Sequence, residues 1–167
     1  AEVAQAMRRI AQSQWLPQLA EFVFPELTVQ DVARMLAETN TTREFQHRVM
    51  YRFNHEVIRR SVTQFSSEGI EHLQLGQPYL FVSNHRDIVL DASLLQYVLV
   101  DAGHETCEIT FGANLMTDPT VVDIGKSNKM FRVERTGNKR QFYESELHLS
   151  RYIRNAIVER GSSVWIA

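Results

Sequence analysis

The sequence predicts an α/β protein, a mixed sheet flanked by helices, preceded by a helical N-terminal segment. Three observations predict it. The compact apolar run at 79–83 suits a buried strand, and short segments at 107–111, 129–134 and 162–167 also read as strands. Longer stretches at 88–102 and 139–160 are suited to helices, and they alternate with those runs as strand, helix, strand, strand, helix, strand. The first sixty residues, by contrast, read as helices throughout.

Taken in order, Ala4 to Leu16 is moderately amphipathic and is expected to end near Pro17, whose ring cannot continue a helix. Thr28-Val-Gln-Asp31 reads as a helix start with Thr28 as cap, running to about Thr39. Asn40-Thr-Thr opens a third helix over 42–64, where Phe45, Val49, Phe53 and Val57 recur every four residues with Met50, Ile58 and Val62 beside them. The texture changes at Ser66-Ser-Glu-Gly69, which divides a helical segment, 1–65, from an α/β core, 66–167. In the core, Ile70 to Leu75 alternates like a short strand and Gly76-Gln-Pro78 is a turn. Phe142, Leu149, Ile153 and Ile157 line one face of the last helix, which Gly161 stops.

A chain of 167 residues is about one domain's worth. The net charge of −2 gives no electrostatic ground for a nucleic-acid partner. The single cysteine, Cys107, allows no intrachain disulfide, and its flanking glutamates favour a structural thiol over a reactive one. No run of 18 apolar residues is present, and Ala1 to Gln14 is too polar for a signal-peptide core. The expected compartment is the cytoplasm, with any membrane contact peripheral. There is no nucleophile elbow, no phosphate-binding glycine loop and no paired-cysteine zinc spacing.

The chemistry is concentrated in Ser83-Asn-His-Arg-Asp-Ile-Val-Leu-Asp91. A polar segment between a strand and a helix sets His85 at a strand's carboxyl end, beside a helix N-terminus. Imidazole is suited to proton transfer near neutrality, and a neighbouring carboxylate can fix its tautomer. Asp87 and Asp91 are the two candidates. Each has a plainer role available: Asp87 as a helix cap, Asp91 as a charge favoured by the helix dipole.

Phe81-Val-Ser-Asn-His-Arg86 followed by Leu90-Asp91 resembles the first motif of the glycerol-phosphate and lysophosphatidate acyltransferase family. The resemblance implies a catalytic pair in which His85 deprotonates an acceptor hydroxyl that attacks an acyl thioester. Asp91 is then the orienting acid and Asp87 its rival, because five residues separate His85 from Asp91 where the family has four. Gly125-Lys-Ser-Asn-Lys-Met-Phe-Arg-Val-Glu-Arg135 is similar to the family's second motif, with Arg135 matching its acceptor-binding arginine. Lys126, Lys129, Arg132, Arg135, Lys139 and Arg140 crowd this segment against one acid, Glu134, and guanidinium forks are suited to phosphate.

The implied substrate-binding set is Asn84, Arg86, Lys126, Arg132 and Arg135, with Asn84 or nearby backbone N–H groups as an oxyanion donor. The resemblance implies no cofactor or metal. Acyl-CoA or acyl-carrier protein is the expected co-substrate, a small lipid phosphate the acceptor, and a peripheral membrane surface the setting. The family's third motif, a Glu-Gly stretch after a later strand, does not occur before Ala167, so the core is expected to be incomplete at its C-terminus. Two other readings are a lipid-surface module with a degenerate site, its stripe at Phe45 to Val57 lying on an anionic membrane, and a thioester hydrolase in which His85 activates water.

Overall fold

A computed structural model describes residues 2–133 and 138–167. In chain order the elements are α1 (Glu2–Ala11), α2 (Leu16–Val23), α3 (Val29–Ala37), α4 (Thr42–Phe45), α5 (Tyr51–Ser61), β1 (Leu80–Val82), α6 (Leu90–Asp101), β2 (Glu108–Gly112), α7 (Pro119–Ser127), β3 (Met130–Val133), α8 (Lys139–Val158) and β4 (Val164–Ile166). They form two compact units, Ala1–Ser67 with Asp118–Asn128, and Glu68–Thr117 with Lys129–Ala167.

The first unit is helical. Thr28 caps α3, accepting the Asp31 N–H. Thr41 and Glu44 form a reciprocal capping box at the start of α4. The helix expected over 42–64 is continuous to Ser61 but passes through a wide π-helical turn, Gln46–Met50, between α4 and α5. In that turn the buried Gln46 amide donates to Asn128 Oδ1 at 3.4 Å. Pro17 behaves differently from its sequence expectation. It does not close the first helix, which stops at Ala11, but sits in the first turn of α2, where its missing N–H costs nothing.

The core of this unit is Met7, Ile10, Val23, Phe24, Val32, Leu36, Phe45 and Val49, with Phe53 packed against it. The apolar stripe at Phe45 to Phe53 is therefore core, which removes the ground for reading it as a membrane-facing surface. Arg9 holds Asp123 of α7 through a two-pronged ion pair, both contacts 2.7 Å.

Glu56, on α5, accepts from Arg59 and Arg60, which together hold its carboxyl down at about 2, Arg59 contributing most. A carboxylate depressed on folding adds stability above its ordinary range and loses it as pH falls toward the folded value. Acid unfolding between about pH 4.5 and 2 should therefore be partly flattened in Glu56→Gln, as followed by circular dichroism. An unchanged acid limb would show that the pair contributes nothing.

The second unit is built on a four-stranded sheet in the order β1-β4-β2-β3. The α/β class stands as expected. The described ladders are all parallel, because each strand is joined to the next by a crossover carrying a helix, α6, α7 or α8. The short strand expected at 70–75 is instead a single 3-10 turn, Ile70–His72, entered through Gly69 at φ 87°, a left-handed conformation open to glycine. Ile70 and Leu73 are spaced by three rather than two, so both turn toward the core of Ala92, Leu99, Cys107, Ile109 and Trp165.

The register aligns Phe81 with Trp165, Trp165 with Ile109, and Ile109 with Met130, so these four side chains share the sheet face that packs in that core. On β2, Glu108 accepts from the Tyr152 hydroxyl at 2.6 Å and from Arg160 at 2.8 and 2.9 Å, tying α8 and its C-terminal exit to the sheet. Cys107 is fully buried, and burial pushes its thiol up to about 12, as expected of a structural cysteine. Among the described residues no helix is long and apolar enough to cross a membrane.

Candidate active site

β1 ends at Val82, and the chain runs through an irregular loop, 83–89, before α6 begins at Leu90. Because the strands are parallel, this loop lies at the carboxyl edge of the sheet, where open α/β folds place their sites. The structure brings His85 and Asp91 together. His85 Nδ1 lies 2.9 Å from Asp91 Oδ2, with the two side chains 36% and 21% exposed.

Asp91 organises the loop as well. The same Oδ2 accepts the backbone N–H of Arg86 at 2.7 Å and that of Asp87 at 3.1 Å. Its carboxyl is held below the usual range chiefly by the Asp87 N–H; burial opposes this as the next largest effect, and the Arg86 N–H and then the His85 ring add to the lowering. It therefore stays ionised through neutral pH and acts only as an acceptor, so His85 Nδ1 carries the proton. In the neutral ring that proton leaves Nε2 with its lone pair, the form required of a general base.

Asp87 does something else. Its Oδ1 accepts the N–H groups of Val89 at 2.8 Å and Leu90 at 2.7 Å, which makes it the cap of the turn that opens α6. Of the two carboxylates weighed from the sequence, Asp91 meets the imidazole and Asp87 meets the backbone.

Asn84 and Arg86 flank His85 on the exposed loop, and no partner for the Arg86 guanidinium is seen among the described residues. Arg132 is on β3, at the opposite side of the sheet from β1, and lines a cavity of about 260 Å³ with Phe131, Val133, Ser145, His148, Leu149 and Tyr152. Three interstrand steps separate β1 from β3, about 14 Å, along the same carboxyl edge. Lys126 is exposed on α7, in the first unit. Arg135 lies outside the described residues, two positions beyond the last residue of β3. Among the described residues no three His, Cys, Asp or Glu side chains gather where they could hold a metal ion.

One residue at the site is not among the candidates the sequence offers. Trp165, central in β4 and 4% exposed, presents its ring edge-on to His85, centroids 5.9 Å apart and planes at 70°. Its indole N–H donates to Ser83 Oγ at 3.0 Å. The only signal for Trp165 was its alternation with Val164 and Ile166, which assigns a sheet face but not a neighbour. Helix α7 was missed too, although Asp118-Pro119 is a cap followed by a first-turn proline.

A family model described as acyltransferase matches residues 64–167. No curated protein and no solved structure matches the chain.

Proposed function

The chain belongs to the acyltransferase family, and from that premise we propose that it moves a fatty acyl group from acyl-CoA or acyl-carrier protein to the hydroxyl of a phosphorylated glycerolipid precursor, in phospholipid biosynthesis. The observation that supports this reading is the 2.9 Å bond between His85 Nδ1 and Asp91 at the mouth of a parallel sheet. His85 Nε2 accepts the acceptor's hydroxyl proton as the oxygen attacks the thioester carbonyl. Asp91 stabilises the imidazolium that forms. Collapse of the tetrahedral intermediate breaks the carbon–sulfur bond, and the proton passes from His85 to the departing thiolate. The products are an ester and a free thiol. No covalent enzyme intermediate is required.

Asn84 is the oxyanion donor in this scheme, because the N–H groups of Arg86, Asp87, Val89 and Leu90 are already given to Asp91 and Asp87. Arg86, Arg132 and Arg135 are the cations assigned to the acceptor phosphate in this scheme. A lysophosphatidate acceptor and the acylated product both carry a fatty chain that partitions into a bilayer, which supports a peripheral membrane surface as the setting.

The test is acceptor-dependent release of thiol from a long-chain acyl thioester by the purified full-length protein, with glycerol 3-phosphate and lysophosphatidate compared. Fatty acid released equally well without acceptor would replace this reading with a hydrolase. Arg135→Ala should raise the KM for a phosphorylated acceptor about tenfold or more with little change for an unphosphorylated one, the effect of losing a charge-assisted hydrogen bond. Equal effects on both acceptors would remove Arg135 from the phosphate site.

A further inference from the structure

We propose that Trp165 is a positioning residue for acyl transfer, holding the His85 imidazole against Asp91 through its ring and holding the loop ahead of His85 through its indole N–H. The inference rests on the reading of His85 as general base.

One hydrogen bond at Nδ1 does not by itself aim a ring. The His85 side chain is about one-third exposed on a loop, and rotation about its side-chain bonds would carry Nε2 away from a substrate hydroxyl. A base has to lie within about 3 Å of the proton it takes, and misplacement by about 1 Å costs up to about a hundredfold. Something rigid has to restrict the ring.

Trp165 is that element. It is fixed in β4, whose backbone is paired on both sides, with β1 at Phe81 and with β2 at Ile109. Its aromatic ring forms a T-shaped contact with His85, a geometry favoured between π systems. Its N–H reaches Ser83 Oγ, and the Ser83 hydroxyl in turn donates to the Asn84 carbonyl at 3.0 Å. The Ser83 N–H donates to the Ile166 carbonyl of β4 at 3.3 Å. The two residues before His85 are thus tied to β4, and the two after it are tied to Asp91. The imidazole is clamped from both ends of the loop.

A tryptophan whose role was core packing alone would affect stability when changed but would have no selective effect on turnover. The two roles separate experimentally. Trp165→Phe keeps an aromatic wall and removes the donor. Ser83→Ala removes the acceptor of the same bond from an exposed position. In Trp165→Phe and in Ser83→Ala, kcat should fall about tenfold, with KM for donor and acceptor within about twofold of wild type. The double variant should be no worse than the more impaired single one, because the Trp165–Ser83 bond is already lost in each.

A readout independent of activity is the ¹⁵N spectrum of the labelled imidazole, which distinguishes the tautomers. His85 should show one form, with the proton on Nδ1, in the wild type and a mixture in the variants. Unchanged kcat and an unchanged tautomer in folded Ser83→Ala and Trp165→Phe would overturn the proposal, as would additive losses with the tautomer unmoved. Should Trp165→Phe fail to fold, Ser83→Ala alone decides between the same outcomes. Full activity in His85→Gln would instead end the general-base reading, while the imidazole spectra would still decide whether Trp165 positions the ring.

Discussion

His85→Gln is expected to lower kcat for acyl transfer by about 10²–10⁴-fold, the usual contribution of a positioned acid–base group. Glutamine has similar reach and can still hydrogen-bond to Asp91, but its amide cannot take a proton at neutral pH. The loss should therefore fall on turnover rather than on folding. The side chain is 36% exposed and contributes to no core cluster, so the melting temperature should stay within a few degrees of wild type. The measurement is steady-state thiol release beside a thermal melt on the same preparation. Because the chain belongs to the acyltransferase family, an active and folded His85→Gln would mean that proton transfer is carried elsewhere. Loss of activity together with loss of the fold would count against the geometry above, since nothing in it makes His85 structural.

Much of this site was legible because its chemistry is local in sequence. His85, Asp87 and Asp91 lie within seven residues, and a strand followed directly by a helix fixes which end of the sheet they occupy. The α/β class was legible for a similar reason. Runs such as Tyr79 to Ser83 are too short for helices, and Lys139 to Arg160 is too long for a strand. What escaped depends on contacts between distant segments. Trp165 lies eighty residues from His85 along the chain, and only the β1–β4 pairing makes them neighbours.

The missed helices, α2 and α7, both carry in their first turn a proline that reads as a breaker; before Pro119 the capping Asp118 is the signal of a start, whereas α2 opens without a side-chain cap. The wide turn at Gln46–Met50 left no trace in the periodicity, because Phe45, Val49 and Phe53 keep their spacing of four through it. Ile70 to Leu75 shows the converse. Alternation over so few residues does not distinguish a strand from a turn, and an unpaired segment of that length cannot hold itself extended.

The two aspartates should respond in opposite ways to substitution, and this separates the geometry from any argument based on spacing. Five residues stand between His85 and Asp91, one more than in the motif they resemble. In a helix one added residue would rotate the carboxylate by about 100° and break the pair. Here α6 begins at Leu90, so the added residue falls in the irregular loop and Asp91 keeps its place in the first turn. The slack is taken up by Asp87, whose carboxylate binds the N–H groups of Val89 and Leu90 and fixes the approach to the helix.

Asp91→Asn should therefore lower kcat by about 10³–10⁴-fold, as expected when a neutral amide replaces the carboxylate that orients a catalytic imidazole and stabilises its charged form. The KM for either substrate should change little. Asp87→Ala should cost about 1 kcal/mol of stability, the usual loss of a cap, and leave kcat within a fewfold of wild type. Asp91 also sets the acid side of the loop's behaviour. A carboxyl depressed on folding supports the loop above its ordinary range and withdraws that support as pH falls through the lowered value, so the clamp on Arg86 and Asp87 should open only in acid, below the ordinary carboxylate range. Hydrogen exchange at the N–H groups of Arg86 and Asp87 would follow that opening directly. If Asp87→Ala proved the inactive variant and Asp91→Asn the mild one, the carboxylate bonded to His85 Nδ1 would have no orienting role, and the cap would have to move onto the imidazole when substrate binds.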